Sequence, residues 1–237
     1  MLFCTGSHHA GENLDFLLKR RKEALEPPIQ MCDGHAYNTP KGVSVFLSNC
    51  LAHSRRKFVE SYSHFPQLCK HVIIEMAKVY KNDKAARDTK MTPSERLRHH
   101  QKHSLKIMRD LKIWMKEKLS KKEVEENSGL GYAIRYTLKR WGKLTLFLVK
   151  EGAPLDNNIC ERALKMAILT RKNSLFFKSK AGAQIGDIYM SIIHTCHHAK
   201  ANPFEYLQAI MDHQDDVASQ PSLWMPWNFK EALASRT

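Results

Sequence analysis

Apolar residues recur along most of this 237-residue chain at helical rather than alternating spacing. In "ENLDFLLKRRKEALEPP", Leu14, Leu17, Leu18 and Leu25 form a helical pattern that runs up to Pro27 and Pro28, which cannot continue a helix. Two short apolar runs break this rhythm. "IQMC", closed by Asp33 and Gly34, reads as a buried strand that delivers a carboxylate at its C-terminal tip. Residues 43–47 read as a second buried strand, turning into a helix that carries Arg55, Arg56 and Lys57. "MLFCTG" reads as a further strand-like run, so the order at the start is strand, helix, strand. From about residue 65 to residue 130, "CKHVIIEMAKVYKND" and "SLKIMRDLKIWMKEKLSKKEVEEN" combine helical periodicity with dense mixed charge, and Thr92 and Pro93 between them mark a helix start. "SGLGYAIRYTLKRWGKLTLFLVKEG" resumes a core-forming helix that Gly152 and Pro154 end. In residues 153–173, Cys160, Ala163, Leu164, Ala167 and Ile168 make an apolar stripe, while Asn157, Glu161 and Lys165 share a polar face. Two more helices, broken at Asn202 and Pro203, lead to an aromatic tail. The chain thus divides into a partial core over 1–64, a helical insertion over 65–130 and a completion of the core over 131–237.

Composition narrows the partner. Lys and Arg number 38 against 24 Asp and Glu, a formal charge of +14 with thirteen histidines besides, and this balance favours a polyanion, nucleic acid first. The longest apolar runs, such as "LTLFLV", fall far short of the roughly 20 residues a membrane span needs, and no basic-then-apolar secretory leader opens the sequence. Six cysteines without a C-x-x-C pair suit reduced thiols in a cytoplasm. "HTCHHAK" and "NCLAHS" lack a second matched ligand pair at zinc-finger spacing, so they make a weak zinc signal.

Two carboxylates carry the candidate chemistry. Glu161 reads either as part of a capped surface helix paired with Lys165, or as a metal ligand working with Asp33; spacing leaves both open. The motifs are more specific. "CDGHAYN", "NCLAHSRRKF", "DNNICERALKMAILTRKNSLFF", "GAQIGDIYMSIIHTC", "NPFEYL" and "WMPWN" follow one another in the order found in one family. On those blocks the chain resembles the C-terminal catalytic part of the insertion sequence sixty-six family of bacterial transposases, of the DDE type. The resemblance implies an α/β fold: an incomplete ribonuclease-H-like core of strands three to five, with a large helical insertion and C-terminal helices. It implies that Asp33 and Glu161 are the second and third catalytic acids, holding Mg2+ or Mn2+. Cys50 and His53 match a C-x-x-H element, for which a packing or orienting role is expected rather than metal ligation. Asn157, Asn158 and Arg162 would flank Glu161 towards DNA, and Arg171, Lys172, Lys178 and Lys180 would contact phosphates. Trp114, Trp141 and the Phe176–Phe177 pair are expected in the core rather than as base-stacking platforms.

Laid on the family's strand order, "MLFCTG" is strand three and "IQMCD" strand four, with strands one and two and the first acid expected to be missing. Such a chain is expected to fail in cleavage and strand transfer alone, and open strand edges would invite association or poor solubility. The partners implied are transposon-end and target DNA, and a further copy or full-length transposase, in the bacterial cytoplasm with the nucleoid and without a membrane. The alternative is a non-catalytic, DNA-binding or regulatory protein derived from a transposase.

Overall fold

The computed structural model describes residues 2–6, 9–22, 24–174 and 177–235, without the side chains of residues 36, 166, 167, 170, 171, 173 and 174. The chain forms two units, His8–Asn158 and Met1–Ser7 with Ile159–Thr237.

The first unit runs α1 (Ala10–Leu18), β1 (Ile29–Cys32), a 3-10 turn (Ala36–Asn38), β2 (Phe46–Asn49), α2 (Leu51–Glu60), α3 (Pro66–Asp88), α4 (Pro93–His103), α5 (Leu105–Ser120), α6 (Gly129–Lys139), α7 (Trp141–Leu144) and a 3-10 turn (Leu146–Leu148). Strands β1 and β2 pair in parallel from Ile29 with Phe46 to Cys32 with Asn49. The ladder extends one step at each end, through Phe46 N–H to the Pro28 carbonyl and Cys50 N–H to the Cys32 carbonyl, both 2.9 Å. Residues 33–45 make the crossover, about the shortest a parallel pair allows, with a single 3-10 turn where an α-helix is usual. Other contacts replace that helix: the Asp15 carboxylate of α1 accepts the N–H groups of Lys41 and Gly42 at 2.9 and 2.8 Å. Gly11 lets α1 approach so closely that a Cβ there would lie 2.4 Å from the Thr39 carbonyl oxygen.

The core of this unit is helical. Leu51 and Phe58 of α2, Val72, Met76 and Val79 of α3, Met108, Leu111 and Met115 of α5, and Leu130 and Ile134 of α6 form one buried cluster, against which Ile29 of β1 packs. The Ser54 and Thr137 hydroxyls, buried between α2 and α6, satisfy each other at 2.6 Å. Along α3 the buried positions Cys69, Val72, Met76, Val79, Asp83 and Ala86 follow one stripe, and Asp83 is its charged interruption. A carboxylate there must be paired. Arg96 of α4 reaches it at 2.5 Å, the His100 ring of α4 at 3.1 Å and Arg87 at 3.3 Å, so α4 is fastened onto α3 by charge. Helix α4 opens with the expected Thr92–Pro93 signal: the Thr92 hydroxyl accepts Glu95 N–H and the Glu95 carboxylate accepts Thr92 N–H, a capping box.

The second unit contains α8 (Asn158–Ser174) from Ile159 onward, α9 (Lys180–His198), α10 (Pro203–Asp212), α11 (Gln214–Ser219), a 3-10 turn (Pro221–Leu223) and α12 (Phe229–Ala234). Its small core joins Cys196, Tyr206, Ala209, Trp224 and Phe229. The Tyr206 hydroxyl donates to the Trp224 carbonyl at 2.8 Å, so the aromatic tail folds back onto α10.

Several expectations are corrected. "MLFCTG" is not a strand: residues 2–6 have no regular structure, and Phe3 and Thr5 donate their N–H groups to Ser191 Oγ and the Asp187 carboxylate of α9. Side chains satisfy that backbone in place of a sheet partner. Helix α1 stops at Leu18, before Leu25 and the prolines, and β2 lies later than the expected 43–47. The helix expected across 129–150 breaks into α6, α7 and a 3-10 turn, with the Thr145 hydroxyl donating to the Trp141 carbonyl. The α8 stripe faces solvent: Cys160, Leu164 and Ile168 are exposed and only Ala163 is buried, because the core of this unit is built by α9, α10 and the tail. Ala167 lies outside the described side chains. Trp114 and Trp141 do pack on the core, whereas Phe177 is exposed and Phe176 is outside the described residues. Among the described residues the structure is α/β by one strand pair and otherwise mainly helical, and no described helix is long and apolar enough to cross a membrane.

The Asp83 network generates a stability prediction. Burial raises the Asp83 carboxyl's pKa, but hydrogen bonds and charge from His100, Arg96 and Arg87 outweigh it and hold the group below its ordinary 3.8. A lowered folded pKa contributes stability that is full above 3.8 and is lost as pH falls through the folded value. Asp83→Ala should cost about 3 kcal/mol near neutral pH in denaturant unfolding, since it leaves Arg96 beside a buried site without its counter-charge. Below pH 4 the gap between wild type and variant should narrow, and a gap independent of pH would contradict the assignment.

Candidate functional site

Parallel pairing sends both chains out of the sheet at the same end, so Asp33 after β1 and Cys50 after β2 leave it side by side. Asp33 is held by its own loop. Its Oδ1 accepts the His35 N–H and the Asn38 amide, each at 2.9 Å, and its backbone carbonyl accepts the Tyr136 hydroxyl of α6 at 3.1 Å. Gly34, at φ +88°, makes the turn that lets this happen, in a region that side chains disfavour. Burial raises the Asp33 pKa, yet the His35 and Asn38 hydrogen bonds, with the charges of His53 and His35, bring it below the usual carboxylate value. Asp33 is therefore an ionised, oriented carboxylate at neutral pH. Among the described residues its Oδ2 accepts no hydrogen bond, which leaves a hard oxygen for a cation.

Next to it, Cys50 is 1% exposed, and burial pushes its thiol pKa up against the opposing influence of the nearby Asn157, His53 and Ala52 backbone N–H groups. It packs as a neutral thiol. The Leu51 N–H donates to the Leu155 carbonyl at 3.1 Å, which brings residues 155–158 to this end of the sheet. There Asp156 accepts the Asn158 N–H at 3.1 Å and the Asn158 amide at 2.7 Å, forming the turn before α8. Burial and the neighbouring Asp156 charge raise the Tyr80 phenol's pKa. The Tyr80 hydroxyl lies close to Asp156 without reaching hydrogen-bond geometry, and Asn157 Oδ1 is likewise buried without a hydrogen-bond partner among the described residues. Buried polar atoms of this kind call for water or a ligand. Those two atoms lie by Asp156 and Cys50, while the open Asp33 oxygen is by itself a hard donor of the kind a divalent cation takes.

Of the residues expected from sequence, Asp33, Cys50, His53, Asn157 and Asn158 thus belong to the first unit, and the strand ends gather the first four. Glu161 lies in the first turn of α8 in the second unit, where a carboxylate is favoured by the helix dipole. Arg162, Lys172, Lys178 and Lys180 are exposed in the same unit, and the Arg171 side chain is outside the described set. Sequence reasoning missed Tyr136, Asp156, Tyr80 and Arg140. The first of these sits in an apolar helical pattern that hid its polar hydroxyl.

A Ser–His–Asp line also occurs away from the strand ends. His100 stands between the Ser104 hydroxyl and the Asp83 carboxylate at 3.1 Å to each. Ser104 is 0% exposed and His100 1%, so no substrate reaches the hydroxyl and the line is part of the α3–α4 fastening.

The comparisons with known proteins agree with the sequence motifs. The chain is 31% identical over 189 residues to the uncharacterized protein y4jD of Sinorhizobium fredii, covering 78% of this chain and 36% of that protein. It is 32% identical over 195 residues to the uncharacterized protein y4qI of the same organism, covering 81% and 35%. The chain therefore spans about a third of the length of these curated relatives. No solved structure matches it. Residues 6–185, the stretch that holds both Asp33 and Glu161, match the Transposase IS66 family, and the chain belongs to that family.

Proposed function

We propose that this chain is part of the catalytic portion of a DDE-type transposase that cuts and rejoins DNA, with Asp33 and Glu161 as two of its metal-holding acids. The observation that carries this reading is the Asp33 carboxylate itself, kept ionised and aimed by two hydrogen bonds to one oxygen, with the other oxygen open. A divalent ion held there supplies Lewis-acid activation of a phosphodiester. The residues of this chain do the positioning. Asn38 and His35 fix the carboxylate, Tyr136 anchors the loop behind it, and His53 adds a nearby charge that favours the ionised form. Asn157, Asn158, Arg162, Arg171, Lys172, Lys178 and Lys180 are proposed to contact DNA, Cys50 to pack beneath the site, and a further copy or a full-length transposase to complete it. On this reading the chain is proposed to supply two acids of the three a DDE site uses.

A regulatory, DNA-binding reading is favoured by the +14 charge, but it gives Asp33 no task. Metal binding separates the two. Mn2+ at a hundred times its Kd should stabilise the wild-type chain by about 2.7 kcal/mol in thermal unfolding, and Asp33→Asn or Glu161→Gln should remove that gain. An equal gain in all three proteins would defeat the metal-site reading. The 237-residue chain alone should release no product from DNA carrying transposon ends in Mg2+, followed on a sequencing gel. Product that disappears in Asp33→Asn would instead show that two acids suffice.

A further inference from the structure

A second feature lies beside Asp33. Gly34, Thr39, Lys41, Leu47, Asn49, Lys139, Arg140 and Lys143 line one concave pocket of about 370 Å3, wholly within the first unit. Four of these are cations, brought together from three places: the crossover loop, the C-terminal end of α6 and α7. No carboxylate lines the pocket, and among the described residues none of the four forms an ion pair. The negative end of the α6 dipole offsets part of the repulsion between Lys139 and Arg140, but only within the last turn, which leaves Lys41 and Lys143 unbalanced. An anion is what this arrangement lacks.

The Arg140 guanidinium is the most constrained of the four. It lies over the Tyr136 ring, 4.0 Å from its centroid, and its Nε is 3.0 Å from the position a Cβ of residue 34 would occupy. Glycine at position 34 thus has two reasons, its φ of +88° and the room Arg140 needs. Tyr136 links the two sites: its ring carries Arg140 and its hydroxyl holds the Asp33 carbonyl. Thr39 and Asn49 add short polar side chains to the wall, and a planar guanidinium with flanking ammonium groups matches phosphate oxygens better than a carboxylate partner's single plane.

We propose that this pocket holds a backbone phosphate of DNA, a contact site separate from the basic residues around α8 that places the strand next to Asp33. The proposal rests on the transposase reading, and its test keeps the two apart. Fluorescence anisotropy with a short labelled DNA duplex of arbitrary sequence, titrated across salt, compares three proteins: wild type, Lys41→Gln/Lys139→Gln/Lys143→Gln, and a control, Lys84→Gln/Lys102→Gln/Lys116→Gln, which removes the same charge from exposed lysines of the helical insertion. All six positions are exposed, and a thermal melt confirms that each variant is folded. The pocket variant should bind on the order of tenfold more weakly at low salt, and its slope of log K against log salt should flatten by about two to three. The control should change the slope by less than about one. Pocket and control variants that behave alike would overturn the pocket while leaving the transposase reading intact. Wild-type protein that binds no DNA at all would overturn both.

Discussion

The parallel pairing of β1 with β2 is the constraint on which the rest of the first unit depends. Because both strands run the same way and end in register at Cys32 and Asn49, the next residue of each, Asp33 and Cys50, leaves from one edge. A parallel pair must also be covered, and here the helices α2, α3, α5 and α6 supply the buried cluster on which Ile29 rests. Crossover residues 33–45 then do two things at once: they return the chain to the start of β2, and they fold back as the loop that hydrogen-bonds the Asp33 carboxylate. A short crossover without an α-helix is what makes this double use possible.

Helices α3, α4 and α5 are organised by a different force. Apolar burial forms most of the α3 face, but Asp83 interrupts it, and α4 docks through Arg96 and His100 rather than through a stripe of leucines. The arrangement is costly to build and specific once built, because each member has its partner only when α4 is in register. The His100 ring also meets Phe147 edge to face, which ties the same network to the segment after α7. With the Gln101 amide donating to the Leu148 carbonyl at 3.1 Å, this contact links α4 to the 3-10 turn beside β2.

Much of this was legible in the sequence, and the reasons for the failures are physical. The run "IQMC" announced itself as a strand because it is a short apolar run closed by Asp33 and Gly34, and Thr92–Pro93 announced a helix start, which the structure builds with a capping box to Glu95. "MLFCTG" carried the same apolar signal without a partner to pair with, and α9 side chains satisfied its backbone instead. The α8 stripe showed correct helical periodicity but gave no information on what would cover it. At the site, Asp33 was found from its place at a strand tip, whereas Tyr136, Arg140 and Lys143 lay in a stretch read as one core helix. The break at residue 140 turns those side chains to a new use, and no local spacing rule signals it.

The transposase account requires Asp33 and Glu161 to hold a common cation, although they belong to separate units of the chain. Anomalous diffraction from crystals grown with Mn2+ tests this most directly. The account predicts a peak at coordination distance, on the order of 2 Å, from Asp33 Oδ2 and from a Glu161 oxygen. Well-ordered Mn2+ bound elsewhere, with both of these carboxylates free of it, would contradict it.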